Sequence, residues 1–98
     1  MIQKTEIKGV HVKVDKDLQK YAEKKLGGLD KYMSSRAAAG AHLEVTFKEE
    51  KPKKGELQHH CDAVLHLPGD TLTVKETGPN LLAAVDITEA KMKILLKK

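Results

Sequence analysis

Aromatic side chains are scarce in this sequence: tryptophan is missing, and Tyr21, Tyr32 and Phe47 are the three aromatic residues. The core must therefore be aliphatic. A platform of stacked bases, which needs a ring for each base, is excluded as a binding mode. Any contact with a nucleic acid has to run mainly through phosphates. Arginine is rarer still, since among the 18 Lys and Arg residues only Arg36 is arginine. Lysine acts as a point charge, whereas reading of base edges leans on the arginine fork, so sequence-specific readout is not expected. Cys61 is the single cysteine. It excludes an internal disulfide and fits a reducing compartment. No apolar run reaches membrane length and no signal or transit pattern is visible, which makes the cytoplasm the expected location.

Catalytic constellations are missing as well. There is no glycine-rich phosphate loop, no Ser-His-Asp set and no credible pair of carboxylates, so neither an enzyme nor a small-molecule substrate or cofactor is expected. His59, His60, Cys61 and Asp62 invite a metal reading. Neighbouring residues of a strand point to opposite faces, however, so these four cannot converge on one ion without a second ligand set, and no metal site is expected. Cys61 is better placed as a small core residue.

What remains is a soluble, heavily charged chain of one-domain size. Its 98 residues are 40% hydrophobic and 33% charged, with a net charge of +4. A length of this order supports one core, so residues 1–98 are expected to form a single domain. The positive balance favours a polyanionic partner without proving one.

The order of elements follows from periodicity and punctuation. Ile2 to Lys8 is compatible with a strand, Gly9 permits a turn, and a second short extended piece is expected from Val10 to Val14. Asp15 is a good N-cap for a helix starting at Lys16, whose apolar stripe is Leu18, Tyr21, Ala22, Leu26, Leu29 and Met33. Gly27 and Gly28 weaken its last turns. Ser34 to Ala41 is expected to be a loop. Leu43, Val45 and Phe47 alternate with His42, Glu44, Thr46 and Lys48, which marks a strand with one buried face. A charged turn with Pro52 and Gly55 spans Glu49 to Glu56. In the next strand Cys61, Ala63, Leu65 and Leu67 share one side, opposite His60, Asp62 and His66. Pro68, Gly69 and Asp70 then reverse the chain into a strand with Leu72 and Val74. Gly78 and Pro79 are expected to open a last helix with the stripe Leu81, Ala84, Val85, Thr88, Met92 and Leu95. The expected fold is α+β, in the order β-α-β-β-β-α, with two helices on one face of a four-stranded, mostly antiparallel sheet.

Two lysine groups are candidates for phosphate contact. Lys16, Lys20 and Lys24 recur every fourth residue and form a row about 12 Å long on a helix. Asp17 and Glu23 nearby leave a plain solvated face as the alternative. Lys91, Lys93, Lys97 and Lys98 cluster at the end of the last helix, where the helix dipole alone could account for them. The lysines at 48, 51, 53 and 54 are partly neutralised by Glu49, Glu50 and Glu56 and rank lower.

Several segments, in order, resemble the ribosome hibernation promoting factor family, also called ribosome-associated inhibitors or sigma-54 modulation proteins. They are Ile7-Lys8-Gly9 followed by Val12, Val14 and a cap; Leu43-Glu44-Val45; Cys61-Asp62-Ala63-Val64-Leu65-His66; and Asn80-Leu81-Leu82-Ala83-Ala84-Val85-Asp86. The chain departs from the family where Asn80, Leu81 and Leu82 stand in place of an acidic residue followed by Met or Tyr. The resemblance implies a short form, or the N-terminal domain of a long form. It also implies a place between head and body of the small ribosomal subunit, over the decoding region, excluding messenger and transfer RNA. With it, Lys16, Lys20, Lys24, Lys91, Lys93, Lys97 and Lys98 become the expected contacts to ribosomal RNA. The other readings are a general double-stranded RNA binding module and a protein-binding adaptor that uses the open sheet face.

Overall fold

Alternation along the strands fixes which way the sheet faces. In the computed structural model, which describes residues 4–51 and 55–97, strand β2 (His42–Glu50) buries Leu43, Val45 and Phe47 and leaves the residues between them half-exposed. Strand β3 (Gln58–Leu67) runs antiparallel to it and sets Leu65, Ala63 and Cys61 directly opposite those three. Strand β4 (Asp70–Gly78) adds Leu72 beside Leu65 and Val74 beside Ala63. Strand β1 (Lys4–Val10) pairs in parallel with the other edge of β2, with Ile7 next to Val45. The sheet order is β1-β2-β3-β4. Between β3 and β4, Gly69 takes a φ of 81°, a left-handed conformation that a glycine adopts without steric cost.

The buried face is covered by two long helices. Asp15 caps α1 (Lys16–Gly27), its carboxylate accepting the Leu18 N–H at 2.8 Å. Leu18, Ala22 and Leu26 are buried, as is Leu29 just beyond, while Tyr21 and Met33 pack at the margin. Helix α3 (Leu81–Lys97) buries Ala84, Val85, Thr88 and Met92. The Thr88 hydroxyl donates to the Cys61 carbonyl at 3.4 Å, which gives this buried polar group a partner in β3.

Four local features differ from the expectations. Val10 still pairs with Lys48, but the rest of the extended piece expected from Val10 to Val14 does not continue the sheet. His11 takes a φ of 58° and turns the chain towards α1, leaving Val12 and Val14 packed against the core from outside the ladder. A Cβ on Gly9 would lie 2.3 Å from the Val12 carbonyl oxygen, so this turn requires glycine there. Between α1 and β2, the end of the expected first helix, whose stripe includes Leu29 and Met33, is a 3-10 turn (Gly28–Tyr32). The expected loop contains a five-residue helix, α2 (Ser35–Ala39), which Ser34 caps by accepting the Ala37 N–H at 3.1 Å. Strand β2 extends to Glu50, into the expected turn. Pro79 precedes α3 rather than entering it, because Asn80 is the cap and accepts the Ala83 N–H at 2.8 Å. Ile2, Pro52, Lys53, Lys54 and Lys98 lie outside the described residues.

Two glycines test the packing in opposite directions. A Cβ on Gly78 would sit 2.8 Å from the Ala84 backbone nitrogen, where β4 hands over to α3. Gly27 is helical, with φ −64° and ψ −28°, and has open space where a Cβ would go. Gly78→Ala should lower stability by about 1–3 kcal/mol through overpacking. Gly27→Ala should raise it by about 0.5–1 kcal/mol through helix propensity. Urea denaturation of both variants at equal slope measures the two changes.

Candidate nucleic-acid interface

A helix row of lysines attracts a polyanion only if local carboxylates have not already neutralised it. On α1, Lys16, Lys20 and Lys24 are all exposed, and among the described residues none of the three is held in an ion pair. Asp17 and Glu23 stand three residues to either side of Lys20 without forming an ion pair with it among the described residues, and the Glu23 carboxylate accepts a hydrogen bond from the Gln19 amide at 3.2 Å. Asp86 of α3 is engaged with Tyr21, whose hydroxyl donates to it at 2.5 Å, and with Lys25 at 3.6 Å. The hydrogen bond to Asp86 pushes the Tyr21 phenol above its usual range.

The last helix places its lysines in two different surroundings. Lys93 and Lys97 lie one turn apart, and both extend over the ring of Tyr32, with their ammonium nitrogens 5.2 and 5.3 Å from its centroid. Both separations suit cation–π attraction. Tyr32 closes the 3-10 turn and lines a shallow depression with Lys24, Lys25, Gly28, Leu29, Lys31 and Glu89. Tyr32 is thus shared by two groups: Lys24 and Lys31 line the depression beside it, together with Glu89, and Lys93 and Lys97 extend over its ring. Lys91 stands apart, beside Thr73, Lys75, Glu76 and Ile94 on the β4 side. Lys98 lies outside the described residues.

The sequence did not single out Lys25, Lys31 or Tyr32 as part of a site. The adjacent pair Lys31-Tyr32 was the available signal, but the lysines that cover the ring come from the far end of the chain.

On the open face of the sheet several cations have partners. Lys4 pairs with Glu6 at 2.9 Å and Lys48 with Glu50 at 3.4 Å. Lys8 and Lys75 on that face are in no ion pair among the described residues, but the helix layer holds more such lysines: Lys16, Lys20, Lys24, Lys31, Lys93 and Lys97. The run His59-His60-Cys61-Asp62 splits between faces, as strand alternation requires. His59 meets Glu49 at 2.7 Å, His60 meets the Thr77 hydroxyl at 2.8 Å, and Cys61 is fully buried. Burial pushes the Cys61 thiol up to about 11, with the Thr88 contact opposing the shift, so the thiol is neutral and shielded at neutral pH. Cys61 should react with a disulfide reagent such as DTNB at a negligible rate in the folded protein and promptly in urea. Rapid labelling without denaturant would remove it from the core.

No helix among the described residues is long and apolar enough to cross a membrane. Two solved structures share the fold. The N-terminal domain of Protein Y from Thermus thermophilus superposes with a TM-score of 0.76 at 24% identity, over 98% of this chain and 94% of that one. A ribosomal subunit interface protein from Coxiella burnetii gives 0.74 at 20% identity, over 95% and 92% of the two chains. A ribosome hibernation promotion factor from Lactococcus lactis is 27% identical over 95 residues, which are 97% of this chain and 48% of that protein. The chain thus spans about half the length of this curated relative. The model of one family, described as sigma 54 modulation protein / S30EA ribosomal protein, matches residues 5–98. A match over nearly the whole domain, on a fold built in the same order, means that the chain belongs to that family.

Proposed function

We propose that this domain, residues 1–98, binds the small ribosomal subunit through the backbone of its RNA, between head and body, and holds the ribosome inactive by covering the decoding region. Messenger and transfer RNA are then excluded by occupancy. No bond is made or broken, and neither nucleotide nor metal is needed for this step. The protein works in the cytoplasm, where ribosomes are. The observation that carries the reading is that Tyr32 has Lys93 and Lys97 over its ring and Lys24 and Lys31 lining the depression beside it. Lys24 shares its helix with Lys16 and Lys20, which are in no ion pair among the described residues. Names of relatives that refer to ribosome hibernation and to the subunit interface support the choice of partner. A general double-stranded RNA module is the weaker reading. It calls for lysines at the start of the last helix to span a groove. Here that helix opens on Asn80, Leu81 and Leu82, and its lysines lie in its second half.

Replacing Lys16, Lys20 and Lys24 together with Gln should weaken binding to purified small subunits. It should also flatten the dependence of log K on log salt by roughly one for each phosphate that the variant no longer neutralises. Stability should change by no more than about 0.5 kcal/mol, since all three side chains are exposed. Wild-type affinity and slope in the triple variant would return these lysines to the solvated face. Binding that ignores salt altogether would favour the adaptor reading.

A chain ending at Leu96 loses Lys97 and with it one of the two cations over Tyr32. Its affinity should fall at low salt, and the deficit should shrink at high salt. A dipole role alone predicts a lower melting temperature, at roughly 0.3–1 kcal/mol, with unchanged affinity of the folded protein. In the same assays, initiator tRNA should fail to bind ribosomes saturated with the wild-type protein.

A further inference from the structure

On the face of the sheet that the helices leave open, strand register brings together four side chains that lie far apart in sequence. Glu6 on β1 sits directly across from Glu44 on β2, and His42 on β2 sits directly across from His66 on β3. His42 and Glu44 are two residues apart on one strand and so share this face. His42 Nε2 is 3.9 Å from a Glu6 carboxylate oxygen and 3.9 Å from one of Glu44, and the ligand atoms of these three residues all lie within 4.8 Å of one another. His66 Nε2 is 3.4 Å from the other Glu44 oxygen, and the two imidazole rings are 5.5 Å apart between centroids. His42 Nε2 is closed off from solvent and has no hydrogen-bond partner, although the side chain as a whole is one-third exposed. A buried nitrogen left unsatisfied is uncommon and calls for a partner.

We propose that Glu6, His42, Glu44 and His66 form a binding site for one transition-metal dication of the zinc type. Zinc–nitrogen and zinc–oxygen bonds of about 2.0–2.2 Å place neighbouring ligand atoms of a tetrahedron about 3.4 Å apart. His66 stands outside the group of three and meets Glu44 through its other oxygen, so its imidazole has to swing in to become the fourth ligand, while the two His42 contacts need a contraction of about half an ångström. Rotation of the carboxylates supplies it. Two carboxylates balance the charge of a dication, and two imidazoles select zinc, cobalt, nickel or copper over magnesium and calcium, which prefer all-oxygen sites. The Lys4 ammonium lies 2.9 Å from a Glu6 carboxylate oxygen. The same ammonium competes with a bound cation. A metal held here ties β1 to β2 and β3, and β1 is held by parallel pairing, the less stable kind per residue. The site lies on the opposite side of the sheet from the lysines of α1 and α3, so it stands or falls independently of ribosome binding.

The test uses tag-free protein stripped with EDTA and desalted. Titration with Co²⁺ should develop the visible bands of tetrahedral cobalt, and calorimetry should give one Zn²⁺ per chain with a rise in melting temperature. Mg²⁺ should do neither. His42→Gln and His66→Gln should each weaken Zn²⁺ binding on the order of ten-fold or more with an unchanged circular dichroism spectrum. His59→Gln and His60→Gln, at the other end of β3, should leave it within about two-fold. Lys4→Gln should strengthen it by removing the competing ammonium. Absence of one-to-one binding would overturn the proposal. So would affinity that survives both His42→Gln and His66→Gln, or affinity that His59→Gln reduces as much as they do. If His42→Gln fails to fold, His66→Gln on the neighbouring strand decides alone.

Discussion

Burial of one sheet face, and only one, is the constraint on which the rest of this molecule depends. The pairs Leu43–Leu65, Val45–Ala63 and Phe47–Cys61 put six fully buried residues on the side that receives the helices. Side chains alternate with a period of two, so a slip of one residue in β2 would bury His42, Glu44 and Thr46 in their place. Each misplaced polar group would cost on the order of 1–3 kcal/mol. Such a penalty, repeated along the strand, makes the register effectively unique. With the register fixed, the polar residues of β1 to β4 are brought together on the other face, whether or not they have a task there.

This division also sorts the charges. A lysine on a strand has cross-strand and same-face neighbours within reach, and Lys4 and Lys48 each find a carboxylate two residues along. A lysine on the outer face of α1 finds only residues three and four away. Lys20 has Asp17 and Glu23 three residues to either side, yet among the described residues neither is in an ion pair with it. Net charge is modest at +4, yet among the described residues most lysines outside an ion pair lie on the helix layer. A polyanion approaching this protein meets a positive helix layer and a sheet face where Lys4 and Lys48 are already matched to glutamates.

Much of this was legible in the sequence, for reasons that also mark its limits. Leu43-Val45-Phe47 and Cys61-Ala63-Leu65 alternate over enough residues to declare a strand. Asp15 and the stripe from Leu18 to Leu29 declare a capped helix starting at Lys16, where α1 starts. Ser35–Ala39 spans little more than one turn, too short for a 3.6-residue period to be visible. Val12 and Val14 alternate like strand residues and are partly buried, but the left-handed His11 takes them out of the ladder, and no local signal announces that conformation in a histidine. For the interface, the spacing of Lys16, Lys20 and Lys24 was visible, whereas the gathering of Lys93 and Lys97 on Tyr32 depends on how α3 crosses the end of α1. Likewise, the grouping of Glu6, His42, Glu44 and His66 is a property of register across three strands.

The scarcity of aromatic residues acquires a physical meaning at Tyr32. A single ring cannot stack a run of bases, but it can hold lysines still. Immobilising a long side chain on binding costs about 0.5–1.5 kcal/mol. A cation–π contact at an exposed site contributes about 0.5–1 kcal/mol. Lys93 and Lys97, held over Tyr32 in the free protein, have therefore given up part of their rotamer freedom before any partner arrives. Their ammonium groups keep N–H donors directed away from the ring, available for phosphate oxygens. Lys25 also lies over a ring, 6.0 Å from the centroid of Tyr21, but a carboxylate holds it as well, with the opposite consequence for its charge. It shares the carboxylate of Asp86 with the Tyr21 hydroxyl, so part of its charge is already answered within the protein. On the proposed interface the lysines over Tyr32 should therefore outweigh Lys25 in binding. An aromatic ring orders a cation while leaving its charge in place, which a carboxylate cannot do.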